Sequence, residues 1–198
     1  MITDWKEADE KIYEVIDFLE EGRKVTADKE LVEIAKARMK NKKTQEGLFM
    51  TSEDLRFATN YFVAKYRAER LACDTLVEVG CSIGAQTIEF AKTCKKVIAI
   101  EIDKRKAQYA EMNMAKNGIK NVEVICADAL EVDIKKADVV FCDTERAPEE
   151  KQRTLEALKP SVKELIKKYS KLTKEICIEI PPQTKEIKLD CEKEYVSI

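Results

Sequence analysis

The chain of 198 residues contains no histidine. That removes the usual imidazole base and every Ser–His or Cys–His scheme, so proton chemistry must fall to carboxylates, backbone carbonyls or the substrate's own basicity. Zinc loses its commonest nitrogen ligand as well. None of the seven cysteines (Cys73, Cys81, Cys94, Cys126, Cys142, Cys177, Cys191) forms a C-x-x-C pair, so no metal is expected. Their number is odd, and Cys126, Cys142 and Cys177 fall in apolar runs that read as buried strands. The expectation is small core side chains in a reducing compartment. No apolar run approaches a membrane span, and Met1-Ile2-Thr3-Asp4-Trp5 is not a signal peptide. A cytoplasmic protein is expected. A net charge of −2 argues against a generally basic nucleic-acid coat and leaves room for a local patch.

What is present reads as one domain with a helical extension. Residues 4–20 place Trp5, Ala8, Ile12, Val15, Ile16 and Leu19 at helical spacing, and Gly22 stops that helix. A second helix starts at an Asp28 N-cap and runs into Lys36, Arg38, Lys40, Lys42 and Lys43. Five cations without an acid among them fit a helix end favoured by its dipole, or a phosphate-binding patch for RNA. Thr51-Ser52-Glu53-Asp54 opens a further helical pattern to Leu71, with Asn60 as a second cap partway. The composition then changes. Strands fit 75–79, 97–101, 122–126, 138–142 and 175–180, and helices fit 84–94, 104–116 and 150–170. Alternation at this spacing predicts an α/β fold: a doubly wound, mostly parallel sheet with ligands beyond the strands' C-terminal ends. The division expected is 1–71, helical extension, and 72–198, ligand-binding domain. A last strand is expected over 193–198, leaving either an incomplete sheet or a chain cut from a longer protein.

Of only five glycines, two stand four apart in Leu76-Val77-Glu78-Val79-Gly80-Cys81-Ser82-Ile83-Gly84, a strand followed by a turn of small residues. Acids recur at matching places: Glu78 near the end of the first strand, Glu101 ending the second, Asp128 after the third and Asp143 after the fourth. One strand-end acid is commonly a helix cap. Four on one sheet edge beside a glycine turn make a carboxylate-rimmed site suited to a cationic nucleoside such as an adenosyl sulfonium. Glu101, 21 residues after Gly80, can accept both ribose hydroxyls. Asp128 can accept from the adenine amine, with Ile102 and Ala129 on the ring faces. Gly80, Ser82 and Gly84 let backbone approach the methionine end, and Glu78 and Asp143 add negative charge. A dinucleotide would want G-x-G-x-x-G and a phosphate-friendly turn; here Ser82 stands at the middle glycine and acids surround it.

Over about 75–180 the chain resembles the class I S-adenosylmethionine-dependent methyltransferases, with their Rossmann-like sheet. Glu78-x-Gly80-x-x-x-Gly84 matches the first motif, Glu101 the second and Asp128 the third. Phe49-Met50-Thr51-Ser52-Glu53-Asp54-Leu55 and Tyr66-Arg67-Ala68-Glu69-Arg70-Leu71 resemble RNA methyltransferases related to trimethylguanosine synthase. The resemblance implies S-adenosylmethionine as cofactor, RNA as substrate and a base amino group as target. Two departures stand out: Ser82 and Gln86 replace the family's usual glycine and acid. The fourth motif, Asp/Asn-Pro-Pro-aromatic in amino-group methyltransferases, reads Asp143-Thr144-Glu145-Arg146 here. Asp143 and Glu145 are then the candidate catalytic acids, and base stacking falls to Phe49, Tyr61 or Tyr66. The alternatives are a protein or small-molecule methyltransferase, or a cofactor- or RNA-binding module with little activity of its own.

Overall fold

The computed structural model describes residues 2, 4–146, 155, 158–181, 184 and 190–196. Four helices come first. Helix α1 (Trp5–Glu20) begins where the Asp4 carboxylate accepts the amides of Lys6 and Glu7. Helix α2 (Lys29–Lys40) is capped by Asp28. Thr51 and Asp54 form a reciprocal capping box at α3 (Ser52–Phe57). Asn60 caps α4 (Tyr61–Arg70), so the pattern from 51 to 71 is two helices broken at Ala58–Asn60.

Strands β1 (Thr75–Val79), β2 (Lys96–Glu101), β3 (Val122–Cys126) and β4 (Val139–Asp143) follow, with α5 (Ala85–Thr93) and α6 (Lys104–Lys116) as crossovers. After β4 come β5 (Glu145–Arg146), β6 (Leu158–Lys159), α7 (Val162–Tyr169) and β7 (Ile176–Glu179). The main sheet is parallel in the order β3-β2-β1-β4-β7. The chain reverses direction of winding between β1 and β4, which opens a crevice at their C-terminal ends.

Three expectations need correction. Of the helix expected over 150–170, the described residues show α-helix over α7 alone. Leu158 and Lys159 instead pair antiparallel with Arg146 and Glu145, and the helix starts only where the Ser161 hydroxyl accepts the Glu164 amide. Two residues of strand and half a turn of helix look alike in an apolar pattern; residues 147–154 and 156–157 lie outside the described residues. The strand expected over 193–198 is absent across 192–196, where the side chains are exposed. Glu192 is held there by Arg70, and Glu194 by the Tyr66 hydroxyl. Residues 197 and 198 lie outside the described residues. Cys126 is exposed, whereas Cys142 is buried and Cys177 half-buried. The cause is position: Cys126 ends β3, an edge strand of the sheet.

Packing divides between the two sheet faces. On one, Ile12, Val15, Ile34, Leu48, Phe49 and Met50 of the N-terminal segment form a single core with Ile83, Ile88, Tyr109 and Met112. On the other, Val77, Val79, Ile100 and Val140 pack against Leu165 and Tyr169 of α7. Alternate strand residues serve opposite faces, so the central strands read as continuous apolar runs. Among the described residues no helix is long and apolar enough to cross a membrane.

Candidate active site

The turn after β1 is shaped by what cannot fit there. Gly80 has φ +78°, and a Cβ on it would lie 2.3 Å from the carbonyl oxygen of Asp143. Gly84, at φ +79°, would put a Cβ 2.8 Å from Met114 Cε. Between them Ser82 adopts φ 50° despite its side chain, the left-handed conformation that glycine takes without cost. The amides of Gly80 and Cys81 both donate to the carbonyl of Ile100, at 2.9 and 3.1 Å. The turn is thus packed tightly against β2, β4 and α6, and only small residues fit along it.

Glu101 locks this turn to β2. Its Oε2 accepts the Ser82 amide at 2.8 Å and its Oε1 accepts the Asp103 amide at 2.8 Å. A carboxylate only accepts, so hydroxyl donors are the ligand groups it suits. The Ala127 amide donates to the Glu101 carbonyl at 3.0 Å, which sets Asp128 and Ala129 beside it. Asp128 is exposed and its Oδ1 caps the next turn at the Leu130 amide, 2.8 Å away. Ala129 is buried, and its carbonyl is gripped by the Tyr169 hydroxyl at 2.8 Å. Ile102 is 70% exposed, an apolar side chain without cover next to a buried acid.

Glu78 is placed differently from the other acids. It is buried beneath the turn, accepting from Thr87 Oγ1 at 2.6 Å. Burial pushes its carboxyl up to about 7, and the nearby charge of Glu101 adds to this, against the pull of Thr87 and Arg67. Burial and the same two acids push the Cys81 thiol well up, so it is inert at neutral pH. Asp143 ends β4, half-buried, in register with Glu179 on β7 and with its carbonyl under Gly80. Next to it Thr144 is buried, and its hydroxyl has no hydrogen-bond partner among the described residues. The side chain of Glu145 lies outside the described residues.

The structure therefore gathers Gly80, Ser82, Gly84, Glu101, Ile102, Asp128, Ala129 and Asp143 at one sheet edge, with Glu78 underneath. Other parts of the sequence reading are redistributed. Phe49 is fully buried against Tyr109 and cannot stack on a base. Arg38 is not part of a phosphate patch: its guanidinium bonds Asp9 at 2.8 Å and the Leu48 carbonyl at 3.0 Å, with 4% of its side chain exposed. Lys43 donates to the Arg56 carbonyl at 2.9 Å. Lys36, Lys40 and Lys42 remain exposed.

Several supporting residues had no signature in the sequence. Arg67 joins Gln86 and Glu179, both at 2.9 Å, while lying over the ring of Phe141. Gln86 in turn donates to the Ala64 carbonyl. Gln86, where the family often has an acid, is thus held to α4. Asn113 clamps both the amide and the carbonyl of Phe49 and the carbonyl of Ile83, the residue before Gly84.

A family model described as "Methyltransferase domain" matches residues 72–196. The chain belongs to that family. It is a class I S-adenosylmethionine-dependent methyltransferase, and the site fits that cofactor: a turn too tight for side chains at Gly80 and Gly84, the acceptor carboxylate of Glu101 at the end of β2 and an uncovered Ile102 beside it. A probable ribosomal RNA small subunit methyltransferase A of Methanococcus maripaludis is 46% identical over 69 residues, 35% of this chain and 25% of that protein. A probable cobalt-precorrin-6B C(15)-methyltransferase (decarboxylating) of Methanocaldococcus jannaschii is 34% identical over 88 residues, 44% of this chain and 45% of that one. The match thus spans between a quarter and under half the length of these curated relatives. The crystal structure of a putative methyltransferase from Porphyromonas gingivalis superposes with TM-score 0.75 over 93% of this chain and 51% of its own, at 14% identity. That likeness is one of fold.

Proposed function

We propose that this domain methylates RNA at a base amino group. The observation that carries the reading is the placement of Asp143 at the β1–β4 crevice, its backbone pressed against the Gly80 turn. An acid at that place can accept a hydrogen from an amine and hold the nitrogen's lone pair toward the cofactor. Bound S-adenosylmethionine supplies an electrophilic methyl group on a cationic sulfur. We assign Glu101 to the ribose hydroxyls, Asp128 to the adenine amine, and Ile102 and Ala129 to the ring faces. The backbone of Gly80, Ser82 and Gly84 serves the methionine end, with the buried carboxyl of Glu78 beneath. With no histidine in the chain, the proton released by the amine passes to Asp143 or to water.

RNA is favoured by two supports. The ribosomal RNA methyltransferase of M. maripaludis is similar over 69 residues, and the 49–71 stretch resembles relatives of trimethylguanosine synthase. Thr144-Glu145-Arg146 in place of Pro-Pro-aromatic favours a second reading, a cofactor- and RNA-binding module of low activity. Transfer of tritiated methyl into total RNA decides between them. Asp143→Ala is expected to lower the rate about 100-fold with little change in affinity for S-adenosylhomocysteine. No incorporation by the wild-type protein selects the module. Calorimetry with S-adenosylhomocysteine tests the cofactor roles separately, and undiminished binding by Glu101→Ala refutes them.

A further inference from the structure

Exposed aromatic side chains collect on one short stretch. Phe57 is 66% exposed and Phe62 68%, at the end of α3 and the start of α4, and Tyr66 is 41% exposed one turn on. Single exposed apolar residues need no explanation, but a cluster does. The Arg56 guanidinium lies 4.4 Å from the Phe57 ring centre, and Tyr61 meets Phe62 edge to face at 5.5 Å. The loop after α2 is tied to this stretch. The Tyr61 amide donates to the Lys43 carbonyl at 2.7 Å, and Lys43 Nζ donates to the Arg56 carbonyl. Those bonds hold Lys43 to the ends of α3 and α4, with the exposed Lys42 next to it in the chain and the exposed Lys40 ending α2.

Lys40, Lys42 and Lys65 are exposed and make no ion pair among the described residues. The acids of the same elements are Glu30, Glu33, Glu46, Glu53, Asp54 and Glu69: Glu30 accepts from Tyr109, Glu33 faces Lys36, Asp54 is buried on Arg105, and Glu53 reaches Arg56 only at 3.9 Å. Tyr66 and Arg70 face Glu194 and Glu192. The stretch also lies at the functional edge. Glu179 bonds Arg67 of α4 and is the register partner of Asp143.

We propose that Phe57 and Phe62, flanked by Lys40, Lys42 and Lys65, form a stacking platform for unpaired bases of single-stranded RNA beside the Asp143 crevice. The proposal rests on the RNA reading above and extends it to a substrate class. Flat aromatic faces interleaved with unpaired cations suit bases and phosphates together; a purely apolar partner would leave the lysines unused. The platform supplies the stacking that an aromatic residue after Asp143 would otherwise give.

Fluorescence anisotropy with a labelled single strand of roughly 12 nucleotides tests it, against the same strand annealed to its complement. The single strand is expected to bind at least about tenfold tighter than the duplex. Phe57→Ala/Phe62→Ala should weaken it at least about tenfold, and Phe57→Tyr/Phe62→Tyr should restore it. Lys40→Glu/Lys42→Glu should lower the slope of log affinity against log salt by about 1.4. Equal binding of the duplex, no binding of the single strand, or full affinity in the alanine pair overturns the platform. S-adenosylhomocysteine affinity, measured on each variant, should stay at the wild-type value. Its absence from the wild-type protein would defeat the methyltransferase reading, and single-strand affinity would report on the platform regardless.

Discussion

Gly80 and Ser82 sit two residues apart in one turn, both at positive φ, yet opposite responses to substitution are expected. At Gly80 the obstacle is the Asp143 carbonyl, backbone that cannot swing aside. Gly80→Ala is expected to cost about 2 kcal/mol or more in urea unfolding and to abolish S-adenosylhomocysteine binding by calorimetry. Ser82→Gly should keep binding and change stability by less than about 1 kcal/mol, because relief of the left-handed strain is offset by the freer unfolded chain. Glu78 provides a test by pH. Its native carboxyl titrates near 7 and its unfolded one near the ordinary 4.5. Between those values the native state holds a proton that the unfolded chain has released. Stability from this group is therefore highest below about pH 4.5, falls as pH rises to about 7, and is flat beyond. Glu78→Gln should remove that fall in urea midpoints measured from pH 5 to 8, and an unchanged profile would show that the burial of Glu78 does not set it.

At the level of elements, the turn is held in place from behind by ties between α3, α6 and the segment leading to α3. Asp54, whose side chain is fully buried, caps α3 and receives both Arg105 nitrogens, at 2.7 and 3.0 Å. Arg105 belongs to the first turn of α6, two residues after Asp103, whose amide binds Glu101. Removing the guanidinium leaves a buried carboxylate with its capping bonds alone. Arg105→Ala should cost about 2–3 kcal/mol, toward the low end for a buried pair because the arginine is partly exposed. Differential scanning calorimetry would read this as a lower Tm, and Arg105→Lys, which keeps the charge but not the fork, should recover part of it.

Across the whole molecule, composition divides the chain near residue 71, but packing does not respect that division. Ile12, Ile34, Leu48 and Met50 bury the same core as Ile83, Ile88, Tyr109 and Met112. We propose that 1–71 completes the methyltransferase domain of 72–198 rather than decorating it. A chain lacking residues 1–50 should expose that apolar face, bind ANS and lose cooperative unfolding and S-adenosylhomocysteine affinity. A sharp unfolding transition in that truncated chain would refute the proposal.

Several features follow from local chemistry and were therefore legible in the sequence: the caps at Asp28, Thr51 and Asn60, the parallel alternation, the glycine turn and the strand-end carboxylates. A cap or a strand is specified within a few neighbouring residues, so its signal survives without the fold. Other features depended on partners far away in the chain. Arg38 reads as one cation in a basic run, and the approach of Asp9 makes it a buried strut. Phe49 reads as a candidate base-stacking ring, and Asn113, 64 residues later, fixes it in the core. Glu78 and Glu101 look equivalent in sequence. Tertiary packing buries both, but it sets the first against the Thr87 hydroxyl beneath the turn and the second against the backbone amides of Ser82 and Asp103, because a side chain's partners depend on what the fold packs around it and not on its neighbours in the chain.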